Sequence, residues 1–101
     1  MFDQILVARF GQTEIARAPQ RDTVILEGSV YFPPESVRFG LLRETGTRTG
    51  CSWRGTAVYY DVIDRTRISR DAAWSYMQPG RKAKRIAGYV SFWKEVEIVP
   101  L

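Results

Sequence analysis

The chain contains no histidine and one cysteine, Cys51. Without histidine, a cysteine–histidine enzyme is excluded, and zinc and copper sites lose their commonest ligand. A single cysteine allows no internal disulfide and no cysteine-rich zinc cluster, which fits a reduced, cytoplasmic setting. Long apolar runs are missing too. No stretch approaches the roughly 20 residues needed to cross a bilayer. The N-terminus carries Asp3 ahead of the short apolar run Ile5-Leu6-Val7 and does not read as a signal peptide. A soluble protein with no membrane contact, no metal and no cofactor is expected.

What is present suffices for a core. At 101 residues, with 45% hydrophobic and 13% aromatic side chains, the chain fits one domain over residues 1–101 with a thin stability margin. The net charge of +4 is modest. Basic residues are scattered, apart from the run Arg81-Lys82-Ala83-Lys84-Arg85. Such a run reads first as a solvated loop and second as a contact for an anionic partner.

Short apolar runs broken by proline, glycine and aspartate predict many short strands and little helix. Residues 14–18 and 23–27 read as two antiparallel strands joined by the four-residue turn Pro19-Gln20-Arg21-Asp22. Val30-Tyr31-Phe32 is a strand that Pro33-Pro34 must end, since proline has no N–H for a ladder. Pro34-Glu35-Ser36 suits a single helical turn. Residues 37–43 read as a strand, and residues 44–50, which include no apolar side chain, as an exposed loop. The clearest strand is 56–63, with Thr56, Val58, Tyr60 and Val62 on one face and Ala57, Tyr59, Asp61 and Ile63 on the other. A tyrosine on each face predicts a central strand covered on both sides. Ser69 is expected to cap a single turn over 69–73. Trp74-Ser75-Tyr76 then forms a short aromatic strand closed by Pro79-Gly80. Residues 88–93 and 96–99 are strands separated by a bend or bulge at Lys94-Glu95. The fold class is all-β: one small domain of short antiparallel strands in two sheets, with one or two single helical turns.

Five strings follow one another in this chain: Tyr31-Phe32-Pro33-Pro34-Glu35-Ser36-Val37, then Cys51-Ser52-Trp53-Arg54-Gly55-Thr56-Ala57-Val58-Tyr59-Tyr60, then Asp71-Ala72-Ala73-Trp74-Ser75-Tyr76, then Ile86-Ala87-Gly88-Tyr89-Val90-Ser91-Phe92-Trp93, and Val96-Glu97. In this order they resemble the bacterial family known as domain of unknown function 427. The resemblance covers residues 11–99 and leaves 1–10 as a lead-in segment. The family's design is similar to the tent-like β folds, which include the methionine sulfoxide reductase B domain and the thalidomide-binding domain of cereblon. The resemblance implies that fold and fixes no activity. A nucleotidyltransferase label attached to the family implies a nucleotide-like substrate. Yet the chain has no Asp-x-Asp pair and no phosphate loop; its nearest acids, Asp61 and Asp64, fall at a strand end and in a turn. Arg54 stands where relatives often carry lysine, which keeps the charge and changes the hydrogen-bond geometry. The zinc-binding cysteine pairs of other tent-like proteins are missing.

The resemblance also implies that Trp53, Tyr59, Trp74 and Tyr76 share one sheet system. The expected site is an aromatic cleft where two sheets meet, with Tyr31, Cys51, Trp53, Arg54, Tyr59, Trp74 and Tyr76 in or near it. Phe32, Val58, Tyr60, Val90 and Phe92 are expected in the core. Such a cleft would bind a small molecule or a modified side chain, Arg54 holding a carboxylate or phosphate. Tyrosine and tryptophan also serve as ordinary core residues, and that alternative stays open. A second reading is an enzyme acting on a nucleotide-like substrate or using the Cys51 thiol, with Arg54 favouring the thiolate and Asp61 or a lysine as the base. A lone cysteine is more commonly a small buried hydrophobe. A third reading sets Arg81, Lys82, Lys84 and Arg85, beside Tyr76 and Tyr89, against a polyanion; nucleic acid is the least favoured partner. Glu35 and Ser36 could line a pocket mouth or cap a turn, and Glu95 and Glu97 protect a sheet edge.

Overall fold

The structure, a computed structural model, describes residues 3–101. In chain order its strands are β1 (Ile5–Phe10), β2 (Thr13–Pro19), β3 (Val24–Leu26), β4 (Ser29–Phe32), β5 (Leu42–Cys51), β6 (Gly55–Asp64), β7 (Arg67–Tyr76), β8 (Val90–Phe92) and β9 (Val96–Pro100). A three-stranded sheet runs β2-β1-β9 and a six-stranded sheet runs β3-β4-β8-β7-β6-β5. Every strand pairing is antiparallel. Helix among the described residues is confined to 3-10 turns, including Pro34–Ser36 and Arg81–Ile86. None is long and apolar enough to cross a membrane. The chain is an all-β domain.

Strand alternation sends the two faces of the larger sheet to different neighbours. Phe32, Val62, Ala73, Val90 and Phe92 face the smaller sheet and pack on Leu6, Ala8, Phe10, Ile15 and Val96. Phe32 and Phe92 meet edge to face at 5.8 Å. The opposite face carries Tyr31, Ala57 and Tyr76, with Trp53, Tyr59 and Trp74 packed against them. This second cluster contains no residue of β1, β2 or β9. The main core therefore lies between the sheets and the aromatic cluster lies on the far side of the larger one. The cleft expected where the two sheets meet is instead on an outer face.

Several local expectations change. Residues 14–18 and 23–27 are strands that do not pair with each other: β2 joins the smaller sheet beside β1, and β3 the larger beside β4. Residues 5–10, expected as a lead-in, form the middle strand of the smaller sheet; Ile5-Leu6-Val7 with Phe10 is a buried central strand, which shows little alternation. Met1 and Phe2 of that segment lie outside the described residues. Residues 44–50, expected as a loop, belong to β5, an edge strand exposed enough to need no apolar side chain. Residues 37–43 are a strand only from Leu42, after a 3-10 turn over Phe39–Leu41. The basic run is no free loop: within Arg81–Ile86, Ala83 and Ile86 are buried in the aromatic cluster. Of the expected core residues, Tyr60 packs against the main core while part-exposed, and Val58 joins neither cluster.

Residues 69–73, expected as a capped turn, lie inside β7. The misleading signal has a structural cause. β6 and β7 slip register between Tyr60 and Val62, so that Tyr60 faces Ala73 while Val62 faces Ser69. Arg70, Asp71 and Ala72 bulge opposite Asp61, and Asp71 takes a left-handed φ of 51°. The buried Asp61 carboxylate fills the gap, accepting the Asp71 backbone N–H at 2.9 Å. Ala72 and Ala73, adjacent in sequence, both reach the main core as a result.

Candidate functional site

Register assembles the floor of the site. Tyr31 of β4 pairs with Ser91 of β8, Ser91 pairs with Trp74 of β7, and Trp74 pairs with Tyr59 of β6. Directly opposed residues in antiparallel strands point to the same face, so these four form one row across the sheet. Serine at its centre leaves room for its neighbours to meet above it. The Trp74 Nε1–H donates to the Tyr31 hydroxyl at 3.2 Å, and the two rings cross at 87° with centroids 6.2 Å apart. Tyr59 lies at 33° to Trp74, 6.4 Å away, and its hydroxyl bonds the Thr49 hydroxyl at 3.1 Å. The Ser91 hydroxyl is fully buried and has no partner among the described residues.

Trp93 forms the next wall, edge-on to Trp74 at 5.9 Å. Its Nε1–H donates to the Asp71 carbonyl at 2.6 Å, so the β7 bulge fixes this half-exposed ring. Lys94 covers the ring at 5.1 Å from its centroid and donates to the Arg70 carbonyl.

The opposite rim comes from the turn between β5 and β6, where Cys51 pairs with Gly55. Gly55 has a φ of +94°, and a Cβ there would press on the Gln78 carbonyl at 3.0 Å. Only glycine suits that position. The turn presents Arg54 with its guanidinium 5.3 Å from the Trp53 ring centroid and 5.6 Å from that of Tyr76. Its Nε–H donates to the Cys51 sulfur at 3.4 Å, and its Nη1 meets the Glu27 carboxylate at 2.7 Å. The Nη2 amine has no partner among the described residues. Glu27 sits in the β3–β4 hairpin turn with φ 51°, followed by Gly28 at φ 82°. The left-handed setting costs a glutamate roughly 1 kcal/mol, and its pairing with Arg54 ties two hairpin tips together.

Arg54 also sets the local electrostatics. Its hydrogen bond, aided by the Trp53 and Arg54 backbone amides, draws the Cys51 thiol below its ordinary pKa. Burial pushes the Tyr76 hydroxyl above its usual value, with the Arg54 charge working the other way.

Together these groups enclose an open cleft of about 420 Å³. Five residues singled out from sequence line it: Cys51, Arg54, Tyr59, Trp74 and Tyr76. Tyr31 is fully buried beneath the floor. Trp53 stacks on Arg54 without lining the cleft. Trp93, Glu27, Ser29, Thr49 and Gly50 line it without having been singled out. For Trp93 a signal existed in its i+2 spacing from Ser91; for Glu27 none did, because only the fold brings it to Arg54. Asp61 lies six residues beyond Gly55 on the same strand, roughly 20 Å away at strand rise, so it serves the bulge and not Cys51. Among the described residues no three His, Cys, Asp or Glu side chains group to hold a metal ion.

A two-sheet all-β domain whose larger sheet bears an aromatic cleft on its outer face is the class these features define. The chain belongs to the family described as a domain of unknown function (DUF427), which it matches over residues 3–99. The match starts earlier than the motif strings alone, and so takes in β1. No curated protein matches the chain.

Proposed function

We propose that this chain is a binding module for a small molecule or a modified side chain, held in the aromatic cleft. One observation carries this reading: a row of cross-strand aromatics ends in an open cleft of about 420 Å³, within the range of small-ligand sites. Tyr59 and Trp74 offer ring surface, while Thr49, Ser29 and Arg54 supply the few polar groups that orient a ligand. The rings are braced by one another and by the Tyr31 and Asp71 hydrogen bonds, so little ordering entropy opposes binding.

A thermal-denaturation screen against nucleotides, modified amino acids, sugars and common cofactors tests it. A ligand at 100 times its Kd adds about 2.7 kcal/mol, which raises Tm by roughly 10 °C or more in a domain this size. Tyr59→Ala should abolish the shift while leaving the unliganded fold intact. A panel without any hit, or a shift that survives Tyr59→Ala, contradicts the reading.

The hydrogen bond from Arg54 to Cys51 favours a second reading, in which the thiol acts on a bound substrate. The structure groups Cys51, Arg54 and Glu27 and leaves Asp61 elsewhere. Turnover lost in Cys51→Ser would separate this from simple binding. Nucleotidyl transfer finds less support: its divalent cation needs grouped carboxylates, and the cleft lining offers Glu27 alone, already paired to Arg54.

A further inference from the structure

Charge is distributed unevenly in this molecule. The chain has 15 basic and 11 acidic residues, and four of the basic ones are Arg81, Lys82, Lys84 and Arg85. Outside this run the charges balance, at eleven of each sign. The whole net charge therefore equals that of one 3-10 segment. Most arginines elsewhere, Arg17, Arg43 and Arg48 among them, are tied to carboxylates, while Arg9, Arg38 and Arg65 stand singly along the chain without such a partner among the described residues. Among the described residues none of the four in this segment has a carboxylate partner.

The segment is fixed against the cleft. It consists of two short 3-10 turns joined at a kink, where Ala83 leaves helical geometry with φ −112° and ψ 16°. Ala83 and Ile86 are its buried residues, packed in the cluster that holds Tyr76, Trp53, Tyr59 and Trp74. Arg81, Lys82, Lys84 and Arg85 are all exposed. The segment is anchored at both ends. At Gly80 the chain passes so close to the Trp53 carbonyl that a Cβ would collide with it. At the other end Ala87 bridges to Tyr76. The two residues so contacted, Trp53 and Tyr76, are the ones whose rings flank Arg54.

Resting on the binding-module reading above, we infer that the cleft's ligand is a planar anion: its ring lies on the Tyr59–Trp74 wall, its phosphate or carboxylate meets the unpartnered Nη2 amine of Arg54, and the Arg81–Ile86 segment supplies the field that draws it in. Glu27 does not defeat this. It neutralises one side of Arg54 and fixes the guanidinium plane; with Nε–H given to Cys51, the Nη2 amine is left to donate a charge-assisted hydrogen bond to an oxyanion. The four exposed cations act at longer range: solvated charges contribute little contact energy, yet they accelerate the arrival of an opposite charge in a salt-dependent way.

Matched probes separate the parts. Adenosine with AMP, and indole-3-ethanol with indole-3-acetate, differ chiefly in the anion. Calorimetry should show the anionic member of a pair binding more tightly. Arg54→Gln should cut its affinity by about tenfold to a hundredfold, the range for a hydrogen bond to a charged group, and weaken the neutral member far less, so that the preference for the anion is lost. In stopped-flow fluorescence, the variant with Arg81, Lys82, Lys84 and Arg85 all changed to Gln should associate about tenfold more slowly at low salt. It should lose most of its salt dependence while dissociating at the wild-type rate. These four residues are exposed, so the variant keeps its fold, as circular dichroism would verify. Neutral and anionic members binding equally would overturn the anion inference and leave the cleft reading standing. Binding of neither member of either pair would overturn the inference, and silence of the wider ligand screen as well would sink the cleft reading with it. An unchanged association rate in the fourfold variant would overturn the role of the segment.

Discussion

Replacing Asp61 by alanine should cost this domain a large part of its stability. The residue is 4% exposed, and its carboxylate accepts the Asp71 N–H that the register slip leaves without a ladder partner. Arg43 at 3.2 Å and Arg70 at 3.9 Å sit on its other oxygen, with side chains 58% and 76% exposed. Those two exposed cations contribute at most about 1 kcal/mol, since water screens them. A charge-assisted hydrogen bond to this part-buried amide contributes about 1.5–3 kcal/mol, and its removal leaves the amide without a protein partner. The expected loss for Asp61→Ala is therefore about 2–3 kcal/mol, or roughly 10–20 °C in Tm. Asp61→Asn keeps an oxygen facing the amide and should lose only about 1 kcal/mol. Urea unfolding of both variants in low and high salt is the assay. Salt should change the difference little, because the main loss is a short-range hydrogen bond to a buried residue and not a long-range attraction between exposed charges. The consequence reaches the cleft, since the Asp71 carbonyl next to the amide holds Trp93. An alanine variant within about 0.5 kcal/mol of wild type, the usual scatter of neutral surface changes, would refute the reasoning.

Two other outcomes follow from the site. Alkylation of Cys51 by iodoacetamide should show a pH midpoint below that of a free thiol, and Arg54→Gln should move it up; equal midpoints would remove Arg54 as the cause of the depressed pKa. The same depression makes a small stabilisation that is present above the unfolded thiol pKa and fades as pH falls through the folded value. Ser91→Ala should leave stability unchanged or raise it by up to about 1 kcal/mol, because the hydroxyl removed is buried without a protein partner. A clear loss on calorimetric unfolding would show that the hydroxyl is satisfied after all.

The sequence made some of this legible and hid the rest for definite reasons. Alternation along 56–63 separated Tyr60 and Val62 from Ala57 and Tyr59, and the two sets do join different clusters. The aromatic strand at Trp74–Tyr76 was visible as a local signal, at the end of what proves to be the longer β7. Long-range register was not. Nothing local says that Tyr31, Ser91, Trp74 and Tyr59 share a row, or that Glu27 reaches Arg54. The alternation of β7 is broken by the Asp71 bulge, so a period-2 test fails there and polar Ser69-Arg70-Asp71 imitates a cap. Residues 44–50 imitate a loop because an edge strand needs no apolar face. Which outer surface bears the cleft depends on how β1, β2 and β9 cover the other side, and that is decided by packing across the whole chain.

The three tryptophans give a direct test of the cleft itself, because their indole N–H groups yield separate signals in a ¹⁵N correlation spectrum. Trp74 and Trp93 line the cleft while Trp53 stacks on Arg54 outside it. Titrating in the compound that most stabilises the protein in the denaturation screen should shift the Trp74 and Trp93 signals in proportion, at saturating behaviour, with Trp53 moving less. Assignments would come from Trp53→Phe and Trp93→Phe. A stabilising compound that leaves Trp74 and Trp93 unmoved while backbone signals shift elsewhere would contradict binding in the cleft and return the aromatic row to a purely structural role.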